Sequence, residues 1–381
     1  MYTRLLQPPK RSFFLLGPRG TGKTAWLRAT FAEALRFDLL DGAVFAELIG
    51  APQRLADRIP KSFKGWVAID EVQRIPELLN EVHRLIEERK LRFALTGSSA
   101  RKLRRGGVNL LAGRASMRHM HPFAARELGA DFSLDRALTY GCLPLVSAIP
   151  SSEAGDALKS YVSTYLREEV QQEGLVRNLG AFGRFLEAAS FSQASVLNMA
   201  SVARETGVTA KVVGDFFQIL EDLLIAIKVP VFSRRAKRKL VSHPKFFFFD
   251  VGVYRALRPR GPLDDAQELG GIAFETLVLQ QIRAVNDALE LGYGVHFWRS
   301  AKGDEVDFVL YGDRGLHAVE VKSSTKVRSE DLRGIRLFLE DYPMARAALV
   351  YGGTRRYYDS EIEVIPALDF FEELPERLNK S

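Results

Sequence analysis

Phe13-Phe14-Leu15-Leu16-Gly17-Pro18-Arg19-Gly20-Thr21-Gly22-Lys23-Thr24 is the stretch on which the fold of this chain turns. Its apolar start spells a short buried strand, and Gly17 to Thr24 fit the P-loop spacing G-x-x-x-x-G-K-S/T without a gap. Gly17, Gly20 and Gly22 leave no side chain where backbone amides must approach a phosphate. A helix expected from about Lys23 to Leu35 points its N-terminal amides and dipole at the same anion. Pro18, Arg19 and Thr21 complete an ATP-binding loop in which Lys23 serves the β- and γ-phosphates and the Thr24 hydroxyl serves Mg2+.

Outward from this loop, Trp66 to Ile69 reads as a second buried strand that delivers Asp70 and Glu71. Asp70 suits the magnesium shell, and Glu71 suits polarisation of an attacking water. A third strand, Phe93 to Leu95, ends in Thr96-Gly97-Ser98-Ser99. Thr96 and Ser98 can hydrogen-bond a γ-phosphate or the lytic water, and helix capping by Ser98 or Ser99 fits the same residues. Arg114, closing Leu111-Ala112-Gly113-Arg114, is placed to stabilise transition-state charge in its own subunit or in a neighbour. Arg101, Arg104, Arg105 and Arg118 lie close to it. Short apolar strands separated by helices predict an α/β domain with a parallel sheet covered on both faces.

Composition narrows the class. The 381 residues allow two or three domains, and 54 basic against 47 acidic side chains give a net charge of +7. That permits phosphate neutralisation on nucleic acid without demonstrating it. The single cysteine, Cys142, excludes an intrachain disulfide and a cysteine zinc site. Of the six histidines, His119 and His121 alone are closely spaced, and structural roles account for them. Neither a signal pattern nor an apolar run of about 20 residues is present, so a cytoplasmic protein is expected, without a membrane partner.

Helical periodicity continues through residues 131–190. Ser195 to Arg204, a turn at Thr206-Gly207-Val208, and Ala210 to Leu223 then resemble a helix-turn-helix. Strands at Ile225 to Val229 and Lys245 to Asp250 flank the basic segment 233–239, so a winged helix is expected. Arg234, Arg235, Lys237, Arg238 and Lys239 are its candidate phosphate contacts, with a solvated loop on a protein-docking module as the other reading. After a linker at Gly261 to Asp265 come a helix from Gly271 to Leu289 and strands near Val295 to Arg299, Glu305 to Tyr311 and Leu316 to Lys322.

The last two strands make a hairpin around Gly312 to Gly315. Glu320 and Lys322 project from one face of it, and Asp307, thirteen residues before Glu320, comes alongside. Asp307, Glu320 and Lys322, with Glu275 on the preceding helix, resemble the PD-(D/E)XK nuclease core. There, two carboxylates hold Mg2+ against a phosphodiester. Ion pairs on a sheet explain the same residues, but their apolar neighbours make unpaired charge costly and favour a metal or a partner.

The N-terminal half resembles an AAA+ ATPase, and more narrowly a prokaryotic family with a C-terminal restriction-endonuclease-like domain. Asp70-Glu71-Val72-Gln73, Leu95 to Ser99 and the tract ending at Arg114 match that family's pattern. His121-Pro122-Phe123, Tyr140-Gly141-Cys142-Leu143-Pro144 and Tyr165 to Val170 match it with departures at His121, Cys142 and Glu169. The resemblance implies an AAA+ core over residues 1–130, a helical lid or connector over 131–190, a winged-helix-like region over 191–260 and a nuclease-like domain over 261–381. It also implies a homo-oligomer, a hexamer being the family's expectation.

The function expected is ATP hydrolysis with Mg2+, coupled to duplex or branched DNA. A nucleotide-switch scaffold binding a protein partner and an ATP-gated toxin or defence nuclease are the other readings.

Overall fold

The computed structural model describes residues 2–99, 110–166, 170, 178–234, 236 and 238–379. It divides into two compact units, one of residues 4–121 with 222–224, the other of 1–3, 122–221 and 225–381.

The N-terminal unit is built on five parallel strands, β1 (Phe13–Leu16), β2 (Leu35–Asp38), β3 (Trp66–Asp70), β4 (Arg92–Gly97) and β5 (Ser116–His119), in the order β2-β3-β4-β1-β5. β1 occupies an interior position and is buried at every residue, as its unbroken apolar run requires. The helix after it spans Lys23–Thr30 and stops short of the expected Leu35. Leu35 to Asp38 form β2 instead and pair with Val67 to Asp70 of β3. Arg36 secures this break by donating to Phe31 O at 2.7 Å. Sheet pairing here overrides a segment whose local pattern also suits a helix. Phe14, Leu16, Ile69, Leu79, Val82, Phe93 and Leu95 lie in one core between the sheet and the helix Leu78–Arg89.

The C-terminal unit contains two sheets. A small antiparallel one joins β6 (Ser195–Val196), β7 (Ala226–Val229) and β8 (Lys245–Phe248) in the order β6-β8-β7. Helices Met199–Thr206 and Ala210–Asp222 precede β7. Ser195 and Val196, expected inside the first of these helices, pair with Phe246 and Lys245 instead. Asn198 then caps the helix by accepting from Ser201 N at 3.1 Å.

The larger sheet has six strands, β9 (Gly294–Arg299), β10 (Glu305–Gly312), β11 (Gly315–Lys322), β12 (Arg346–Tyr351), β13 (Tyr357–Asp359) and β14 (Ile362–Pro366), ordered β13-β14-β12-β11-β10-β9. β9, β10 and β11 run antiparallel, while β11, β12 and β14 are parallel to one another. The helix ahead of this sheet runs from Ala266 to Ala288, beginning five residues before the expected Gly271. Asp265, read as linker, is its N-cap and accepts from Gln267 N at 2.8 Å.

Candidate functional site

Parallel strands deliver their C-terminal ends to one edge of a sheet, so β1, β3 and β4 bring the P-loop, Asp70-Glu71 and Thr96 to Ser98 together. Gly17 lies so close to the chain leaving β5 that a Cβ on it would stand 2.3 Å from Met120 O. Gly22 turns the loop into its helix at φ 90°, a conformation that side chains disfavour. Pro18 is buried, Arg19 half-buried and Gly20 exposed on the loop. Thr21 Oγ1 donates to Pro18 O at 2.8 Å, and Lys23 Nζ donates to Gly17 O at 2.7 Å and Pro18 O at 3.1 Å.

Asp70 is held through both oxygens. Thr24 Oγ1 donates to Oδ2 at 2.6 Å, and Thr96 Oγ1 donates to Oδ1. Thr96 in turn accepts the Glu71 amide at 3.0 Å. Glu71 sits at φ 57°, ψ 47°, a left-handed conformation that few non-glycine residues adopt and that turns the chain sharply at the end of β3. Its carboxylate accepts from Gln73 Nε2 and, at 3.1 Å, from Ser98 Oγ. Gln73 Nε2 also donates to Ser98 Oγ at 2.9 Å, while Gln73 Oε1 is buried without a partner.

The hydroxyls of Thr96 and Ser98, expected on a phosphate or water, therefore serve the two carboxylates. Gln73 is the residue whose role the sequence reading lacked. Its only advance signal was its place in Asp-Glu-Val-Gln. A loop closed to side chains, an ammonium and the adjoining hard oxygens of Thr24 and Asp70 fit a nucleotide triphosphate with Mg2+.

Arg114 lies elsewhere. β5 pairs in register with β1, Ser116 opposite Phe13 and His119 opposite Leu16, so Arg114 precedes the edge at which the strands begin. The P-loop leaves the other edge, about 13 Å along the strand at ~3.3 Å per residue. Arg114 makes an ion pair there with Glu87 of helix Leu78–Arg89. Service to the phosphates of its own subunit does not fit this placement. Arg101, Arg104 and Arg105 fall outside the described residues.

In the C-terminal unit, β10 and β11 pair Phe308 with Val319, so one further step sets Asp307 beside Glu320. The β10–β9 register shifts between Val306 and Val309, and the irregularity carries Asp307. Asp307 Oδ2 accepts Val321 N at 2.9 Å, and Lys322 Nζ donates to Glu320 Oε1 at 2.8 Å. The four expected residues thus converge, but a fifth stands at their centre. Lys245 Nζ, from β8, contacts Glu275 Oε1 at 2.9 Å, Asp307 Oδ1 at 3.2 Å and Glu305 Oε1.

Lys245 is buried, at 2% exposure, as are Asp307 and Glu320. Burial opposes its charge, yet Glu275, Asp307 and Glu305 together hold the ammonium well above the usual lysine range. Burial, reinforced by Asp307, pushes Glu275 up to about 8 and raises Glu320 well above the carboxylate range. Lys322 is raised, its own burial outweighed by Glu320 and Asp307.

The expected magnesium at Asp307 and Glu320 does not fit this arrangement. Lys245 Nζ itself occupies the space between Glu275, Glu305 and Asp307, so their charge is already met by an ammonium. Among the described residues no group of three or more His, Cys, Asp or Glu side chains is arranged to hold a metal. Lys245 and Glu305 escaped the sequence reading. The available signal was a charge opening the buried run Phe246-Phe247-Phe248-Phe249.

On both flanks of the basic segment between β7 and β8, backbone bonds tie the chain to β9. Phe232 N donates to Phe297 O at 2.7 Å, Phe297 N to Pro230 O at 3.0 Å and Ala301 N to Lys239 O at 2.8 Å, stitching the segment along β9. Arg238, expected on a phosphate, is engaged at the partly exposed surface by Glu340 at 2.7 Å and Asp341 at 3.0 Å. Arg234 lies over the Tyr311 ring at 4.6 Å and is exposed, as is Lys239. Arg235 and Lys237 lie outside the described residues.

Three family models match successive parts of the chain. Residues 9–129 match the model of an AAA domain, residues 131–264 a domain of unknown function (DUF8612), and residues 270–370 another (DUF4143). The N-terminal unit is thus an AAA-type, ATPase-like nucleotide-binding domain. No curated protein matches the chain. A solved structure, protein VC1899 from Vibrio cholerae, is similar at 12% identity over 96% of each chain, but its TM-score of 0.23 carries no argument. No helix among the described residues is long and apolar enough to cross a membrane.

Proposed function

We propose that this chain hydrolyses ATP at the Gly17–Thr24 loop and couples its nucleotide state to duplex or branched DNA held by the C-terminal half. The observation that carries the first part is Asp70, with one oxygen on Thr24 and the other on Thr96 beside the P-loop. Lys23 exchanges the carbonyls of Gly17 and Pro18 for the β- and γ-phosphates. Thr24 and Asp70 hold Mg2+, which neutralises phosphate charge when bound. Glu71 accepts a proton from the water whose oxygen bonds to the γ-phosphorus, as the bond to the β–γ bridging oxygen breaks and ADP leaves. Gln73 and Ser98 orient Glu71, and Arg114 serves a neighbouring subunit in a homo-oligomer.

For DNA, the support is the net charge of +7, the paired helices and antiparallel strands of a winged-helix-like region, and exposed Arg234 and Lys239. Asp307, Glu320, Lys322 and Glu275 support a restriction-endonuclease-like fold that binds rather than cuts.

The test is steady-state ATP hydrolysis with Mg2+, titrated with duplex, single-stranded and four-way-junction DNA. Lys23→Ala lowers hydrolysis by about a hundredfold or more, and one DNA form stimulates the parent protein. If no DNA stimulates and none binds at low salt, the DNA reading fails, leaving a nucleotide switch with a protein partner.

A further inference from the structure

The C-terminal carboxylates form a cation centre whose cation is part of the chain. Three oxygens, from Glu275, Asp307 and Glu305, face Lys245 Nζ, and an ammonium has three hydrogens to give. Nζ donates to Glu275 and Asp307 and pairs in charge with Glu305, and these oxygens come from helix Ala266–Ala288 and from β10. A fourth carboxylate stands beside them only half satisfied. Glu320 is 5% exposed, its Oε1 takes Lys322, and its Oε2 is buried without a partner. An isolated buried carboxylate oxygen costs several kilocalories unless something compensates it. The β10–β11 register sets Glu320 opposite Asp307, so this carboxyl stands next to the same centre.

We propose that Lys245 is the resident cation of this centre, standing where a divalent ion would otherwise bind. The carboxylates therefore take up a metal only when the side chain on β8 is absent or withdrawn. One ammonium meets three carboxylates here, as a metal would, and leaves Glu320 Oε2 without a partner. With Lys245 in place the facing carboxylates already hold a cation, and they keep the ammonium charged. The inference is independent of whether the chain acts on DNA, because it concerns only which cation the carboxylates hold.

The experiment is Mn2+ binding by electron paramagnetic resonance on the full-length, nucleotide-free protein, comparing the parent with Lys245→Met and Lys245→Met/Asp307→Asn. The expected result is one Mn2+ bound by Lys245→Met about tenfold or more tighter than by the parent, and lost in the double variant. The parent's residual Mn2+ binding is expected to be unchanged by Asp307→Asn alone. If the parent binds Mn2+ in a manner that Asp307→Asn abolishes, the centre is a metal site despite Lys245 and the proposal is wrong. If folded Lys245→Met gains no Mn2+, the cluster is a structural ion-pair network and the proposal is equally wrong. Should Lys245→Met not fold in metal-free buffer, its refolding becomes the readout. Recovery by Mn2+ but not by K+ at equal ionic strength supports the proposal, and failure to recover overturns it.

Discussion

The two charged centres of this chain solve the same problem, a cluster of carboxylates near a lysine, in opposite ways. In the N-terminal unit Asp70 and Glu71 are partly exposed and held by neutral donors, namely Thr24, Thr96, Gln73 and Ser98. Lys23 donates to the Gly17 and Pro18 carbonyls of its own loop. Hydroxyls and amides orient a carboxylate without cancelling its charge, an arrangement that suits Mg2+ and phosphate. In the C-terminal unit Asp307 and Glu320 are buried, Glu275 and Glu305 half-buried, and their charge is met directly by Lys245 and Lys322. The contrast teaches that the same residue types suit a ligand when supported by neutral donors, and form a closed network when paired directly with lysines.

The comparison can be broken by removing each lysine in turn. Lys245→Ala leaves Glu275, Glu305 and Asp307 without their shared cation, and a loss of about 3–5 kcal/mol of stability is expected by chemical denaturation. Lys23→Ala removes hydrogen bonds to two backbone carbonyls and is expected to cost no more than about 1.5 kcal/mol. Equal losses would mean that the two centres do not differ as described.

A smaller effect sharpens the same contrast through pH. His317 on β11 is buried, and burial, with Arg346 and Arg377 nearby, pushes it down to about 4. The unfolded chain binds this proton near pH 6.5 and the folded chain does not, so stability is lost as pH falls from 6.5 towards 4. Relative to His317→Gln, the parent should weaken across that window by up to about 3 kcal/mol. A difference between the two that stays flat with pH would refute a neutral buried imidazole.

The smallest effect concerns Arg238. Because its guanidinium is taken by Glu340 and Asp341, Arg238→Ala should leave the salt dependence of DNA binding unchanged. A drop of about one in the slope of log affinity against log salt would make it a phosphate contact instead.

Legibility in the sequence followed distance along the chain. The P-loop could be read because its contacts are made by residues within eight positions of one another. Asp70 and Glu71 were also within reach, since an acidic pair ending an apolar strand has a local signature. β2 was not, because Leu35 to Asp38 satisfy a helix as readily as a strand until β3 is there to pair with them. Asp307, Glu320 and Lys322 could be placed together from a hairpin's alternation and a short turn, which are again local. Lys245 is 62 residues from Asp307 and 30 from Glu275, and no periodicity connects them.

By itself, then, the sequence determined the phosphate-binding loop, the alternation of strands and helices around it, and the convergence of the hairpin carboxylates. Each of these depends on residue spacing and backbone geometry over short spans. Tertiary structure alone decided what the charges do. It set Arg114 at the far edge of the sheet, tied Arg238 to Glu340 and Asp341, and brought Lys245 among the carboxylates. The physical reason is that an electrostatic partner is chosen by proximity and burial, and neither is fixed until distant strands have packed.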